Sequence, residues 1–559
     1  KRDMGFDMGS LTLDTQGVRE QDWAENWKKY YKPFRAGERL VIKPSWEAYE
    51  PKEGDLVLEL DPGMAFGTGT HETTFMCMEQ LEKYVTPGCR AIDVGCGSGI
   101  LGLAAARLGA ADVLAIDLDE LAVKVAAENT EKNGLSNVVR VAHGDLLEKR
   151  EEKADVIRKV VEGQITDQVP ATALQEHHNI EVVIDENAAG KLTREVAPWL
   201  VGPCEWTPKF TRKAVIWLCG VVGKPILKLT HSDYIENSLG ELLEAKGPYD
   251  KINIDVFNDL QHTITGWPGG KPNADDSTRP VPSKPFPKKV LIFSPHPDDD
   301  VISMGGTFIR LVDHGHDVHV AYETSGDFAV NDDVVLQQLD TVRELGFADR
   351  FDEVKRLIAG KVKGQPEPRE LLDIKAAIRR AEAKAADRSF GLDPSHVHFL
   401  NLPFYETGGL KKAPLSQRDI DIIVKLLREI EPDQIYAAGD LADPHGTHRV
   451  CIEAVLAAME VVQDEEWVKE CRLWLYRGAW QEWDLDMVDM AVPLSPDEVI
   501  QKRHAIYRHL SQKDIVPFPG EDKREFWQRA EERNQNTARL YDKLGMAEYQ
   551  AIEVFVRLF

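Results

Sequence analysis

Ser294-Pro-His-Pro-Asp-Asp-Asp300 sets one histidine and three carboxylates in a tight turn directly after the apolar run Lys289-Val-Leu-Ile-Phe293. A second cluster, Asp443-Pro-His-Gly-Thr-His448, places His445 and His448 three residues apart where a helical pattern begins. Two histidines and one carboxylate with an open fourth position make the usual hydrolytic zinc site, and a further free carboxylate can serve as general base. Taken alone, each cluster has an ordinary explanation: an acidic turn is often a solvated loop, and an H-x-x-H spacing recurs by chance. Both together, each at the edge of an element, point to metal-assisted chemistry.

The elements that must position these groups can be read from the pattern around them. Lys289 to Phe293 is short, apolar and β-branched, as expected of a buried parallel strand, and ligands in open α/β sheets gather at the carboxyl edge where the polar cluster starts. Pro295 and Pro297 fix φ on either side of His296, so little conformational freedom remains to be lost there. Val450, Val455 and Met459 have roughly helical spacing, which puts His445 and His448 near a helix start.

With these motifs, residues of about 286 to 559 resemble the zinc-dependent de-N-acetylases of the PIG-L/LmbE superfamily. Their signature is a strand followed by (A/S)-H-P-D-D-(E/D) and a later H-x-D-H. Here the motifs read SPHPDDD and HGTH, with Thr447 in place of the usual aspartate. The resemblance implies His296, Asp299 and His448 as zinc ligands, Asp298 as general base, and His445 as the group that stabilises the oxyanion or protonates the leaving amine. It also implies a doubly wound α/β domain acting on an N-acetylglucosamine-type amino sugar, a small-molecule substrate.

Length and composition bound the remainder. A chain of 559 residues exceeds one hydrophobic core and suggests three or four domains. The 68 basic against 94 acidic residues, a net charge of −26, argue against a general nucleic-acid or membrane-surface role. There is no apolar run long enough to span a bilayer, and KRDMGFDMGS is not expected to be a signal peptide. Seven cysteines with no C-x-x-C pair read as reduced thiols, hence a cytoplasmic protein.

Toward the amino end, Arg90-Ala-Ile-Asp-Val-Gly-Cys-Gly-Ser-Gly-Ile-Leu101 runs from a strand through a glycine turn into a helix, and Val113-Leu-Ala-Ile-Asp117 ends the next strand in an acid. Glycines let the backbone approach a ligand, the helix start favours anionic groups, and the acid can accept from ribose hydroxyls. With Gly144-Asp145 after a third strand, Val138 to Ala142, the pattern favours S-adenosylmethionine over a dinucleotide. Together with LDPGMAFGTGTHETT (60 to 74), Asp22 to Tyr31 and Ile42 to Trp46, it makes residues of about 18 to 157 similar to the PrmA family, which methylates amino groups of a large-subunit ribosomal protein. The resemblance implies Thr74, Gly95, Gly97 and Asp117 as cofactor contacts and a Rossmann-like module. The family's asparagine motif after the fourth strand is missing: Ala154-Asp-Val-Ile157 is followed by Arg158-Lys-Val-Val. The module is therefore expected to be truncated.

From about 158, Val160 to Leu174, Ile180 to Glu186 and Phe257 to Asn273 resemble the carboxyl end of long-form bacterial glucosamine-6-phosphate deaminases, without that family's catalytic half. His177 and His178 are given no chemistry. Pro272 to Lys288 reads as a linker. Arg379 and Arg380, on the charged helix Leu371 to Ala386, could reach an anionic substrate but read as a solvated face, and the tail Arg503 to Leu544 reads as amphipathic packing or oligomer surface.

The expected architecture is thus multidomain α/β: a truncated PrmA-like module (1–157), a deaminase-like α/β segment with linker (158–285), and a doubly wound PIG-L/LmbE-like domain (286–559). The leading function is zinc-dependent N-deacetylation. Two alternatives stand beside it: ribosomal-protein methylation by the front module as the main activity, and an artificial or misassembled fusion with a non-catalytic front half.

Overall fold

The computed structural model describes residues 32–61, 72–117, 119–143, 153–166, 168–176, 184, 186–346, 351–361, 367–407, 412–440, 446–478, 481–513 and 524–559. The chain is mixed α/β, although between His143 and Lys289 the described residues form helices and no strand, where an α/β segment was expected, and it divides between Leu192 and Thr193 into two compact units.

In the first unit, β1 (Phe34–Ala36) pairs antiparallel with β2 (Leu40–Lys43), which pairs parallel with β3 (Leu56–Glu59). A second sheet is all parallel, in the order β4 (Arg90–Val94), β5 (Asp112–Asp117), β6 (Val139–His143). The helix Ile100–Leu108, rich in alanine and leucine, packs against β5 and joins the two sheets through Leu40, Ile42, Leu58, Leu103, Ala104, Val113 and Ala115. β4 is an edge strand whose Ile92 and Val94 are 58% and 53% exposed. Apolar side chains in a parallel strand are ordinarily covered on both faces, so among the described residues this sheet lacks one covering layer.

The second unit is built on a seven-stranded sheet in the order β12-β13-β11-β10-β7-β8-β9. Its strands are β7 (Lys289–Ser294), β8 (Asp317–Tyr322), β9 (Val397–Phe399), β10 (Gln434–Ala438), β11 (Arg472–Tyr476), β12 (Met490–Leu494) and β13 (Ala551–Arg557). β7 to β11 run parallel, while β13 enters antiparallel between β11 and β12. Side chains from both sheet faces form two apolar layers. One gathers Ile292, Phe308, Val320, Trp474 and Phe555, the other Leu291, Phe293, Ile423, Val455 and Leu473.

The helices Pro208–Val222 and Tyr249–Thr263 pack with Trp199, Trp206, Ala491, Ile552 and Val554 in a single core, so residues from 193 onward fold with this sheet. The stretch read as a linker is irregular but fastened. Val281 is buried in the sheet's core, Asp276 accepts from Ser283 N and Oγ, and Arg472 donates to the Pro280 carbonyl.

The helix Asp299–Asp313 departs from helical geometry at Met304 (φ −135°, ψ 24°). Its second half therefore has amides of its own to satisfy. Gly306 N and Thr307 N donate to the Glu553 carboxylate at 3.0 and 2.7 Å, and Lys502 Nζ donates to the same group at 2.6 Å. A Cβ at 306 would lie 2.5 Å from the Leu494 side chain, which a larger residue there would have to displace.

Candidate active site

β7 ends at Ser294, whose Oγ donates to the His296 carbonyl at 2.6 Å and accepts from Asp300 N at 3.1 Å, folding the turn back on the strand. The Asp299 Oδ2 atom accepts from His296 N at 2.9 Å and faces His296 Nδ1 at 3.0 Å. His448, in the first turn of the helix Thr447–Val462, brings Nε2 to 3.2 Å from Asp299 Oδ2 and 3.3 Å from His296 Nδ1. Three donors spaced 3.0–3.3 Å apart fit one small ion. Tetrahedral zinc with bonds of about 2.05 Å has ligand-to-ligand edges of about 3.3 Å. The donor set, two imidazoles and a carboxylate, suits zinc as well.

Burial alone would raise the Asp299 carboxyl. The charge of His448 and the hydrogen bonds from both histidines outweigh it and hold the group well below the usual carboxylate range. Asp300, behind the turn, is pushed up to about 7 by burial and by the Asp298 charge, against the hydrogen bond from Tyr322. Glu323, at the end of β8, is pushed up to about 8 by burial.

Asp298 precedes the helix and does not join the three-donor set. Its Oδ1 accepts from Arg379 Nη2 at 2.9 Å, with side chains 9% and 2% exposed respectively. This corrects the reading of Arg379 as part of a solvated face. The helix Arg369–Ser389 buries Leu371, Lys375, Ile378, Arg379, Glu382 and Ala386, a stripe of helical period in which the charged members are paired. Lys375 meets Glu367 and Asp332, Arg379 meets Asp298, and Glu382 accepts from Ser511. The spacing of 371, 375, 378, 382 and 386 was visible in the sequence; the density of charge obscured it.

The tail also contributes to the site. His509, Tyr507, Phe526 and Trp527 line a small hollow together with Asp298 and Ile302. His509 is 3% exposed, and neither ring nitrogen has a hydrogen-bond partner among the described residues. No periodicity in the sequence singled it out. Thr447 is fully buried and accepts from Lys412 Nζ. His445 lies outside the described residues, as do His177 and His178.

In the first unit the glycine turn is held by its acid. Gly97 N donates to Asp117 Oδ2 at 2.8 Å and Asp119 N donates to Oδ1 at 3.0 Å. Gly95 and Gly97 sit at φ 72° and 54°, the left-handed region that glycine enters without strain. Thr74 is buried in the first turn of the helix Glu72–Tyr84. Asp93, not singled out in the sequence, accepts from Gly102 N at 2.8 Å and anchors the helix that follows the turn. Gly144, Asp145, Asp22 to Tyr31 and most of LDPGMAFGTGTHETT lie outside the described residues.

Two family models match separate stretches of the chain. The family model of PrmA, ribosomal protein L11 methyltransferase, matches residues 2–162, and that of PIG-L, GlcNAc-PI de-N-acetylase, matches residues 291–459. The chain therefore carries both a PrmA-type methyltransferase domain and a PIG-L-type deacetylase domain, two enzyme families in one composite polypeptide.

A glucosamine-6-phosphate deaminase-like protein of Bacteroides thetaiotaomicron is 52% identical over 435 residues, 76% of this chain and 66% of that protein. An alignment of that length reaches well outside residues 291–459. The ribosomal protein L11 methyltransferase of Pelotomaculum thermopropionicum is 61% identical over 145 residues, 26% of this chain and 47% of that protein. The chain thus spans only part of the length of the curated relatives it matches. Among solved structures, N,N'-diacetylchitobiose deacetylase from Pyrococcus horikoshii aligns with 22% identity over 48% of this chain and 84% of that one, at a TM-score of 0.33. No helix among the described residues is long and apolar enough to cross a membrane.

Proposed function

We propose that the chain is a zinc-dependent hydrolase that removes acetyl from an amino sugar of the N-acetylglucosamine type. The observation that carries this reading is the set His296 Nδ1, Asp299 Oδ2 and His448 Nε2 at mutual distances of 3.0–3.3 Å, with a fourth group, Asp298, beside it and outside it. His296, Asp299 and His448 would hold the ion. When bound, zinc supplies Lewis-acid polarisation of the acyl oxygen and lowers the pKa of water toward about 7. Asp298 takes a proton from the attacking water, and Arg379 keeps its carboxylate aimed by a two-pronged contact. His445 returns a proton to the departing amine or stabilises the oxyanion. Water and amide are consumed, acetate and a free amine are released.

The test is acetate release from a panel of N-acetylated amino sugars, before and after stripping the protein with a chelator. Release that is lost on stripping and restored by zinc is expected. No release from any member of the panel, with zinc present, would overturn the reading.

For the front domain we propose S-adenosylmethionine binding at the glycine turn, by Thr74, Gly95, Gly97 and Asp117, with a ribosomal protein as the partner if methyl transfer survives. The favouring observation is the close approach of Asp117 to the Gly97 amide at the carboxyl edge of β5. Asp117→Ala removes a charge-assisted contact worth about 1.5–3 kcal/mol. Isothermal titration should therefore show affinity falling by roughly 10- to 150-fold. An affinity equal to that of the unaltered chain would remove Asp117 from the site.

A further inference from the structure

β8 and β9 carry a second gathering of metal-ligating side chains, at the end of the strands opposite the His296 turn. The strands run parallel with Val320 opposite Val397 and Ala321 opposite His398, so His319 and His396 are register neighbours. Asp317 Oδ1 lies 3.4 Å from His319 Nε2 and 3.5 Å from His396 Nδ1. One ligand atom from each of Asp317, His319 and His396 falls within 4.8 Å of the other two. At about 3.3 Å per residue, His319 and Asp317 stand roughly 10 and 16 Å along β8 from Tyr322 at its carboxyl edge.

One outer contact, that of His396 with a backbone carbonyl, has the form found around bound metals. His319 Nδ1 is 3.0 Å from His398 Nε2, and His396 Nδ1 is 3.1 Å from the Val318 carbonyl. Metal-ligating imidazoles give their other ring N–H to such an acceptor, which sets the tautomer. If both Nδ1–H groups donate in this way, the Nε2 lone pairs of His319 and His396 are left for an ion. His396 turns Nδ1, the nitrogen that meets the carbonyl, toward Asp317, and the two rings stack at 4.0 Å and 21°, so the His396 ring must swing to bring its Nε2 to the same point as that of His319. His396, with its side chain 31% exposed, has room to do so.

We propose that Asp317, His319 and His396 form a second metal site, taking a divalent transition-metal ion of borderline softness such as zinc, cobalt or nickel. Two imidazoles and one carboxylate favour such ions over magnesium or calcium, which prefer oxygen ligands throughout. The exposure of Asp317 and His396 leaves water to complete the coordination. A bound ion would fasten β9, an edge strand of three residues, to β8.

The test titrates the chelator-stripped, full-length chain with cobalt, counting ions per chain after dialysis and recording the visible absorption. Two ions are expected for the unaltered chain. His319→Ala and His396→Gln should each leave one, His448→Ala should leave the other one, and His448→Ala with His396→Gln should leave none. An ion count that neither His319→Ala nor His396→Gln lowers, or an unaltered chain that takes no cobalt, overturns the proposal. Loss of a single ion on His396→Gln but not on His448→Ala would uphold it and remove the His296 cluster instead. His396→Gln lies at the exposed edge and keeps the test valid should His319→Ala fail to fold.

Discussion

Asp298→Asn should retain zinc and lose turnover by about 10²–10⁴, the usual contribution of general base catalysis. The expectation follows from geometry, because Asp298 stands next to the three donors but spends its oxygens on Arg379. Asparagine keeps size and polarity and still accepts from the guanidinium, yet cannot take a proton. Asp299→Ala and His448→Ala each remove a donor whose atom lies within 3.3 Å of another, so bound zinc and acetate release should fall together there. Zinc per chain and the rate of acetate release, measured on all three variants, separate the two roles. Full activity in Asp298→Asn, or zinc lost there and kept in Asp299→Ala, would reverse the assignment of the two adjacent carboxylates.

Lys502→Met is expected to cost about 3–5 kcal/mol of stability, the typical result of breaking one side of a buried ion pair. Lys502 and Glu553 have side chains 2% and 1% exposed, and the ammonium also donates to Asn534 Oδ1 at 2.8 Å. Burial alone would raise the Glu553 carboxyl, but the charge and hydrogen bond of Lys502 and the bonds from Thr307 bring it below its ordinary 4.5. A depressed carboxyl contributes stability that is present above that ordinary value and is lost as pH falls through the folded one. Methionine fills the space but leaves a carboxylate in a dry interior, so adding Glu553→Gln to Lys502→Met should recover part of the loss. Hydrogen exchange at the Gly306 and Thr307 amides, which point at Glu553, reads the effect locally. Protection in Lys502→Met equal to that of the unaltered chain would contradict the expected cost.

Much of the fold around the candidate metal site was legible because its signals are short-range. The strand Lys289–Ser294 is bounded by apolar run and proline, and Val455 and Met459 lie on the buried stripe of the helix that starts beside His448. Two motifs at two element edges then had to meet at one sheet edge, as ligand sites in such folds do. Arg379 and His509 escaped for different reasons. Arg379 lies on a helix with so many charges that the apolar stripe beneath them reads as solvated, and its burial depends on a partner 81 positions earlier. His509 follows a helix end, and its place beside Asp298 is set by how the tail packs, which no local pattern encodes. In the front unit the glycine turn and Asp117 were equally plain, since both the left-handed glycines and the strand-end acid are local. The fastening of residues 193–285 to β12 and β13 was not, because it rests on Trp199, Trp206 and Ile552 meeting across more than 300 positions.

The broken helix and the late strand beneath it bear on synthesis. The turn that bears His296 and Asp299 opens a helix whose second half is capped by Glu553, on the strand that slots between β11 and β12. A ribosome will have produced every proposed metal ligand by His448 and still lack the carboxylate that caps the second half of the helix beginning at Asp299. Until some hundred further residues emerge, Gly306 and Thr307 have no acceptor there and Lys502, once made, has no counter-charge. The nascent chain therefore carries its complete set of proposed donor atoms well before it carries the carboxylate that caps the helix beginning at Asp299.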